Sequence, residues 1–165
     1  MANELKAVEH TVEVIFDPAP LTVDPFTYRL DGGKASPILS CLVGANLALF
    51  RFSLTTKGDP ADGAVLTSNP IQWLSSSRMP ISMPSSFFFQ RTNDLDMIVV
   101  NLNQVTETGV EVPFGFEIAV IYQGRTHTSP DPTIINVQPP PATPETPGSE
   151  IWREPQERPA PALVS

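Results

Sequence analysis

The segment Ser129-Pro130-Asp131-Pro132 carries the residue types most able to do chemistry in this 165-residue chain. An aspartate that precedes a proline can attack its own main-chain carbonyl with its carboxylate, and the tertiary amide of proline provides an unusually basic leaving nitrogen. The two prolines stiffen the segment, because proline fixes its own φ and pushes the preceding residue out of the helical region. The Asp131–Pro132 peptide bond is therefore the predicted site of self-cleavage.

This cleavage needs an acid that protonates the nitrogen of Pro132 as it leaves. His127 and Tyr122 precede the motif and have suitable side chains. Strand alternation would place His127, Ser129 and Asp131 on one side, provided that the strand continues through Pro130. An exposed strand-end histidine and a core tyrosine are the structural alternatives, and the sequence leaves both open.

Other aspartates are expected to serve turns. Asp17, Asp24 and Asp59 each precede a proline, and Asp before Pro commonly starts a turn because its side chain bonds nearby backbone N–H groups. Asp94 and Asp96 resemble a pair of catalytic carboxylates, but they flank a predicted strand start and are expected in a solvent-exposed turn.

The stretch Thr128-Ser-Pro-Asp-Pro-Thr-Ile-Ile-Asn136 resembles the DP-EP family of small bacterial β-sandwich proteins. A member of that family is known as a self-cleaving aspartic-type peptidase. The resemblance implies cleavage after Asp131, with Asp131 itself taking part and with Ser129 and Pro130 positioning it. It covers about ten residues, and it carries over no auxiliary acid or base.

Apolar residues recur mostly with period two, in short runs separated by Pro, Gly, Asn and Asp, which is typical of strands and turns. The sequence predicts an all-β fold, a single antiparallel immunoglobulin-like β-sandwich of about seven strands. Strands are expected over residues 10–16, 46–54, 85–90, 95–102, 114–123 and 133–137. Gln123-Gly-Arg125 is predicted to be the tip of a hairpin that returns through residues 126–128. A short helix within residues 36–48 is disfavoured by Gly44 and Asn46.

The local sequence predicts whether four side chains are buried or exposed. Phe50 and Phe52 are expected to face the core, and Cys41 is expected to be a small buried hydrophobe rather than a reactive thiol. Trp73 lies in the polar setting Ile71-Gln-Trp-Leu-Ser75, so the core tryptophan of antibody domains is not expected.

The chain divides into a predicted β-sandwich domain over residues 1–137 and a proline-rich tail over 138–165. The tail contains eight prolines and little apolar surface, so we predict that it is disordered or polyproline-like. Pro141-Ala-Thr-Pro144 has the spacing of segments that dock on aromatic grooves. Ile151 and Trp152 form its bulkiest apolar pair.

Composition and motifs argue against several classes of protein and of binding site. A net charge of −8 with ten scattered Lys and Arg argues against a nucleic-acid partner. One cysteine and two histidines predict no disulfide framework and no metal site, and no nucleotide, phosphate or hydrolase motif indicates a cofactor. No signal peptide and no membrane span is visible, so cytoplasmic residence is the default expectation. Oligomeric state stays undecided.

Two functions are therefore expected. The first is a self-processing protein whose own polypeptide is the substrate and whose Asp131 carboxylate attacks the Asp131–Pro132 bond. The second is a non-enzymatic sandwich that binds a partner protein through its proline-rich tail or a sheet edge.

Overall fold

The computed structural model describes residues 6–18, 24–58, 60–130 and 132–139, and this part of the chain contains strands and no helix. The all-β sandwich prediction is confirmed. The strands are β1 (Ala7–Phe16), β2 (Phe26–Leu30), β3 (Ser40–Val43), β4 (Leu47–Thr56), β5 (Val65–Leu74), β6 (Pro80–Ile81), β7 (Phe87–Arg91), β8 (Asp96–Leu102), β9 (Glu111–Tyr122), β10 (Arg125–Ser129) and β11 (Thr133–Val137).

Two sheets pack against each other. The first has the order β2-β1-β4-β8-β7, and the second has the order β3-β11-β9-β5-β6, with β10 also paired to β9. Most neighbours are antiparallel, but β1 pairs with β4 and β11 pairs with β3 in parallel. The sheets therefore depart from the purely antiparallel arrangement expected from the sequence.

The structure has more strands than the seven or so expected. The strands that the pattern did not predict are β2, β3, β5 and β6. In β5 the register against β9 shifts between Leu66 and Ile71, which interrupts the alternation of buried and exposed residues. Residues 40–43 form β3 within the stretch where a short helix was considered, because Cys41 and Val43 alternate inward with exposed Ser40 and Leu42.

Inward-facing side chains of both sheets form one core. Phe50 and Phe52 lie in it as expected, each 1% exposed. The expectation for Trp73 was wrong, since this residue is only 4% exposed and its ring centroid lies 4.5 Å from that of Phe87 and 5.2 Å from that of Phe116. Its polar neighbour Gln72 points outward, so the polar setting reflected strand alternation and not exposure.

The predicted hairpin is confirmed. β9 ends at Tyr122 and β10 begins at Arg125, so Gln123 and Gly124 form a two-residue loop. Both have positive φ, 52° and 76°, which is the conformation of a type I′ turn and matches the twist of the flanking strands. The turn fixes the register in which Ser129 pairs with Ile118.

β11 ends at Val137, where the sequence placed the end of the sandwich. The prediction of a disordered tail falls mainly on residues 140–165, which lie outside the described residues. Among the residues that the structure describes, no helix is long and apolar enough to cross a membrane.

Candidate functional site

The Ser-Pro-Asp-Pro motif joins β10 to β11 along one edge of β9. Ser129 pairs with Ile118, and Thr133 pairs with Gly115. The chain therefore advances four residues from Ser129 to Thr133, whereas the opposite stretch of β9 advances only three. One additional residue is therefore accommodated between β10 and β11, as in a β-bulge. Bulges interrupt the ladder of hydrogen bonds and re-aim side chains, which is why they recur beside active sites.

The additional residue changes which positions face the core. In β10 the inward positions are His127 and Ser129. The next buried positions are Pro132, at the end of the motif, and Ile134 in β11. A shift of one residue exchanges the two faces of a strand, because side chains alternate with period two. In the described chain, the inward face that includes His127 and Ser129 is therefore followed by Pro132 and Ile134, and Asp131 between them lies outside the described residues.

Asp131 itself lies outside the described residues, but both of its neighbours are held. The N–H of Phe116 donates to the carbonyl of Pro132 at 3.0 Å, and the N–H of Thr133 donates to the carbonyl of Leu39 at 2.9 Å. On the other side, the guanidinium of Arg78 donates to the carbonyl of Pro130. The motif is thus tied to three separate segments of the chain.

The hydroxyl of Ser129 is buried and unusual. Ser129 is 0% exposed, and its Oγ has no hydrogen-bond partner among the described residues. An unpaired buried hydroxyl costs about 1–3 kcal/mol, so such groups are rare in stable folds and mark strain or function. This hydroxyl lies on the inward face, two residues before Asp131.

The two predicted proton donors lie at different distances along β9 from the position that pairs with the motif. Tyr122 lies six residues along β9 from Phe116, the residue bonded to Pro132, which corresponds to about 20 Å. Its ring packs against Phe16 at 5.3 Å, so Tyr122 is a packing residue at the end of β9 away from Phe116, and this position does not favour direct donation by it. His127 pairs with Val120, about 13 Å from Phe116 along the strand.

His127 lies further from Pro132 along the strand than Ser129 does. Its ring lies 5.2 Å from that of Phe16, at an angle of 55°. Ser129 is two residues further along β10 on the same inward face, so its hydroxyl lies between His127 and Pro132 in the order of the strand. Ser129, which the sequence assigned only to positioning, is thus the nearer of the two to Pro132.

Arg78 was missed by sequence reasoning. It lies in the connection between β5 and β6, 52 residues before Pro130, and no local pattern links the two positions. Its φ is 65°, in the left-handed region, where a residue other than glycine costs about 1–2 kcal/mol. The guanidinium places a permanent positive charge beside the motif, because arginine stays protonated in proteins.

The remaining acidic residues serve structure. Asp24 accepts a hydrogen bond from the N–H of Phe26 at 3.1 Å, as expected of a turn aspartate. Asp94 is exposed and pairs with Arg91 at 2.7 Å. Asp96 accepts a bond from the hydroxyl of Ser53 at 2.9 Å. These carboxylates support a turn and a strand pair, away from the Ser-Pro-Asp-Pro motif.

Cys41 is a packing residue, as the sequence predicted, and is 5% exposed. Burial, and to a smaller extent the nearby carboxylate of Asp31, raise the pKa of its thiol to about 12. Cys41 therefore stays protonated at neutral pH and is no nucleophile. In the described part of the chain, no group of three or more His, Cys, Asp or Glu is arranged to hold a metal ion.

Comparison with known proteins identifies no family. No protein-family model and no curated protein matches the chain. Among solved structures, the chain is similar to the crystal structure of an inclusion body protein, PixA, from Burkholderia cenocepacia J2315, with 11% sequence identity. That alignment covers 84% of this chain and 99% of the other, with a TM-score of 0.38. A likeness at this TM-score supports no inference about fold or function.

Proposed function

We propose that this protein cleaves its own Asp131–Pro132 peptide bond by intramolecular attack of the Asp131 carboxylate. The observation that carries the proposal is the bulge at the motif. Between Ser129 and Thr133 the chain has one residue more than the opposite stretch of β9, and the residues on both sides of the bulge are hydrogen-bonded. Contacts hold the residues on both sides of Asp131, and Pro130 and Pro132 restrict the backbone dihedral angles of the segment. Such restriction raises the effective concentration of an internal nucleophile to about 10⁵ M or more.

The reaction balances with one water molecule. A carboxylate oxygen of Asp131 bonds to the main-chain carbonyl carbon of the same residue, and the bond from that carbon to the nitrogen of Pro132 breaks. The nitrogen takes a proton, leaving a five-membered cyclic anhydride. Water then opens the anhydride and returns a proton to the acid that supplied the first one.

The described residues suggest a route for that proton. The unpartnered hydroxyl of Ser129 donates to the nitrogen of Pro132 and is reprotonated by the imidazolium of His127, which shares its inward face. A hydroxyl without a competing hydrogen bond is free to rotate between donor and acceptor. Tyr122 takes no part, because it lies at the far end of the hairpin.

Self-processing makes a modest demand on rate. Each molecule reacts once, so a rate of about 10⁻⁴ per second suffices, which corresponds to a barrier of roughly 23 kcal/mol. Positioning of the carboxylate and one proton relay can lower the barrier to this height, since general acid catalysis alone accelerates a reaction by about 10²–10⁴-fold. A serine-histidine-aspartate triad is therefore unnecessary.

Intact mass of freshly purified protein, followed over days at neutral pH, tests the proposal. We expect fragments 1–131 and 132–165 to accumulate in the wild-type protein at a rate that is independent of protein concentration. Asp131→Ala is expected to abolish both fragments, because it removes the nucleophile.

The control for that experiment is Asp24→Ala, which alters another Asp-Pro pair. Asp24 serves a turn through its bond to Phe26, so cleavage after Asp131 is expected at the wild-type rate in this variant. A wild-type chain that keeps its full mass would refute self-cleavage. Rates that rise with protein concentration would show cleavage in trans instead.

A second candidate function is binding of a protein partner along the outer edge of β3. Within the described residues this edge strand pairs with β11 alone. Leu42 in the strand is 59% exposed, and Ile38, just before it, is 60% exposed. An unpaired strand edge offers backbone N–H and C=O groups to an extended segment of another chain. The tail, the other proposed docking element, lies outside the described residues.

Substitution of Leu42 tests this second function. Leu42→Lys is expected to abolish capture of a partner from cell extract, since a charge on the edge opposes strand addition, while the melting temperature stays near that of the wild type. A chain truncated after Pro139 separates the edge from the tail. Equal capture by wild-type protein and Leu42→Lys would contradict binding at this edge.

A further inference from the structure

We infer that Arg78 is a positioning residue for the cleavage, an inference that rests on the proposed self-cleavage. Its guanidinium donates to the carbonyl of Pro130, which is the carbonyl of the peptide bond that leads into Asp131. This contact joins the connection between β5 and β6 to the junction between β10 and β11. It lies on the exposed side of the motif, whereas Ser129 holds the buried side.

The turn that carries Arg78 is tightly built. The N–H of Arg78 donates to the carbonyl of Ser75 at 2.8 Å, and the N–H of Ser75 donates to the carbonyl of Met79 at 2.8 Å. The hydroxyl of Ser75 accepts a third bond, from the N–H of Met79 at 3.1 Å. These bonds hold Arg78 in the left-handed region, at φ 65°.

A glycine or asparagine would be the usual residue at such a turn position, because a larger side chain is strained there. The chain instead carries arginine, whose side chain reaches the motif. Strain that the surrounding structure sustains is concentrated at functional sites, and here it accompanies a contact of the strained residue with the candidate scissile segment.

Arg78 acts in two ways in this proposal. Its hydrogen bond to Pro130 fixes the peptide plane that precedes Asp131, and the carbonyl of Pro132 is fixed from the other side by Phe116. Its positive charge favours the ionised carboxylate that must attack and the negative oxygen that forms on the attacked carbonyl carbon. Fixed donors and charges of this kind are among the largest contributions to acyl-transfer rates.

The test measures the rate of Asp131–Pro132 cleavage against pH, by intact mass, in the wild type, Arg78→Gln and Arg78→Lys. Arg78→Gln is expected to slow cleavage at neutral pH by about 10²-fold, because the peptide plane before Asp131 loses its guanidinium contact and the developing negative charge loses a nearby positive charge. It is also expected to move the acidic limb of the pH–rate profile upward by roughly one unit, because the neighbouring positive charge is lost. Arg78→Lys keeps the charge, so its profile is expected to stay near that of the wild type.

Arg51→Gln is the matched control, since Arg51 is exposed on β4 and pairs with Glu9. Its rate and profile are expected to equal those of the wild type. A wild-type rate in Arg78→Gln would overturn the inference. It would also be overturned if Arg78→Gln and Arg78→Lys slowed cleavage equally without moving the pH profile, because Arg78 would then be only a structural brace.

A separate measurement keeps this inference distinct from the proposed function. If the wild-type chain stays intact at ambient temperature, the proposed self-cleavage function is refuted. The protein is then warmed to a temperature below its unfolding transition, so that slow cleavage of Asp-Pro bonds can be measured. Cleavage after Asp131 is compared with cleavage after Asp17 and Asp24 in the same sample. In folded protein, the ratio of cleavage after Asp131 to cleavage after Asp17 and Asp24 is expected to be at least several-fold higher in the wild type than in Arg78→Gln. In denaturant the two proteins are expected to give the same ratio. Equal ratios in folded protein would refute the role of Arg78.

Discussion

A chain that ends at Asp131 is expected not to fold, whereas a chain cleaved at Asp131–Pro132 is expected to stay folded with both fragments associated. The reason is the position of β11, which lies inside its sheet between β3 and β9. It pairs in parallel with β3 over Thr133–Asn136 and antiparallel with β9 over Thr133–Val137. Its Ile134 is 1% exposed and belongs to the core.

Loss of β11 removes several stabilising terms at once. Deleting a buried isoleucine side chain alone costs about 2–5 kcal/mol, and the deletion also leaves β3 and half of β9 without a partner strand. The sum approaches the 5–15 kcal/mol that stabilises a typical domain. Cleavage of the single bond, in contrast, leaves every one of these contacts in place.

Two measurements check this expectation. Far-UV circular dichroism of a chain truncated after Asp131 should lack the strand signal, and addition of a peptide with residues 132–165 should restore it. Fragments of a cleaved protein should elute together in size exclusion and separate only in denaturant. A truncated chain that melts cooperatively on its own would contradict the expectation that the fold requires β11. This test uses the truncated chain alone, so its result does not depend on whether the protein cleaves itself.

Replacement of Asn101 alone is expected to destabilise the fold by about 3 kcal/mol or more, and simultaneous replacement of Asn136 is expected to restore most of that loss. The two side chains are 0% and 1% exposed. Each amide donates to the other, with N to O distances of 2.7 Å and 3.1 Å. This reciprocal pair joins β8 of the first sheet to β11 of the second.

The asymmetry between single and double variants follows from desolvation. Asn101→Val leaves the donor and the acceptor of Asn136 buried without partners, at about 1–3 kcal/mol for each group. The double variant Asn101→Val/Asn136→Val removes both polar groups and fills the site with apolar atoms, which is often nearly neutral. The pair therefore specifies how the sheets meet around β11 more than it adds net stability.

Denaturant unfolding of the wild type, both single variants and the double variant gives the coupling free energy directly. Asn69→Val, at an exposed position in β5, is the control and is expected to change stability by less than about 0.5 kcal/mol. Additive effects of Asn101→Val and Asn136→Val would contradict a mutual hydrogen-bonded pair. The single variants should also release the fragment 132–165 from cleaved protein at lower denaturant concentration.

Local sequence pattern predicted the elements whose alternation is uninterrupted. Residues 47–56 of β4 alternate along their length. Gln123-Gly-Arg125 predicted the tip of a hairpin, and the structure adds that its turn is of type I′. Alternation failed in β5, because its register shifts against β9 between Leu66 and Ile71. The burial of Trp73 was missed for another reason: its polar neighbour Gln72 faces outward, as strand alternation requires. A periodic pattern reports which face a side chain takes, and a bulge breaks the period.

The sequence by itself determined the stiffness of Ser129-Pro130-Asp131-Pro132 and the strands on either side of it, because both depend on residues that are adjacent in the chain. Only the tertiary structure decided what surrounds the motif. The contact from Arg78 spans 52 residues, and Asn101 meets Asn136 across 35 residues. Such contacts depend on which strands become neighbours, and period-two alternation carries no information about the identity of the neighbour. Pairing of β11 with β3 and β9 therefore places the strand that follows the motif inside its sheet.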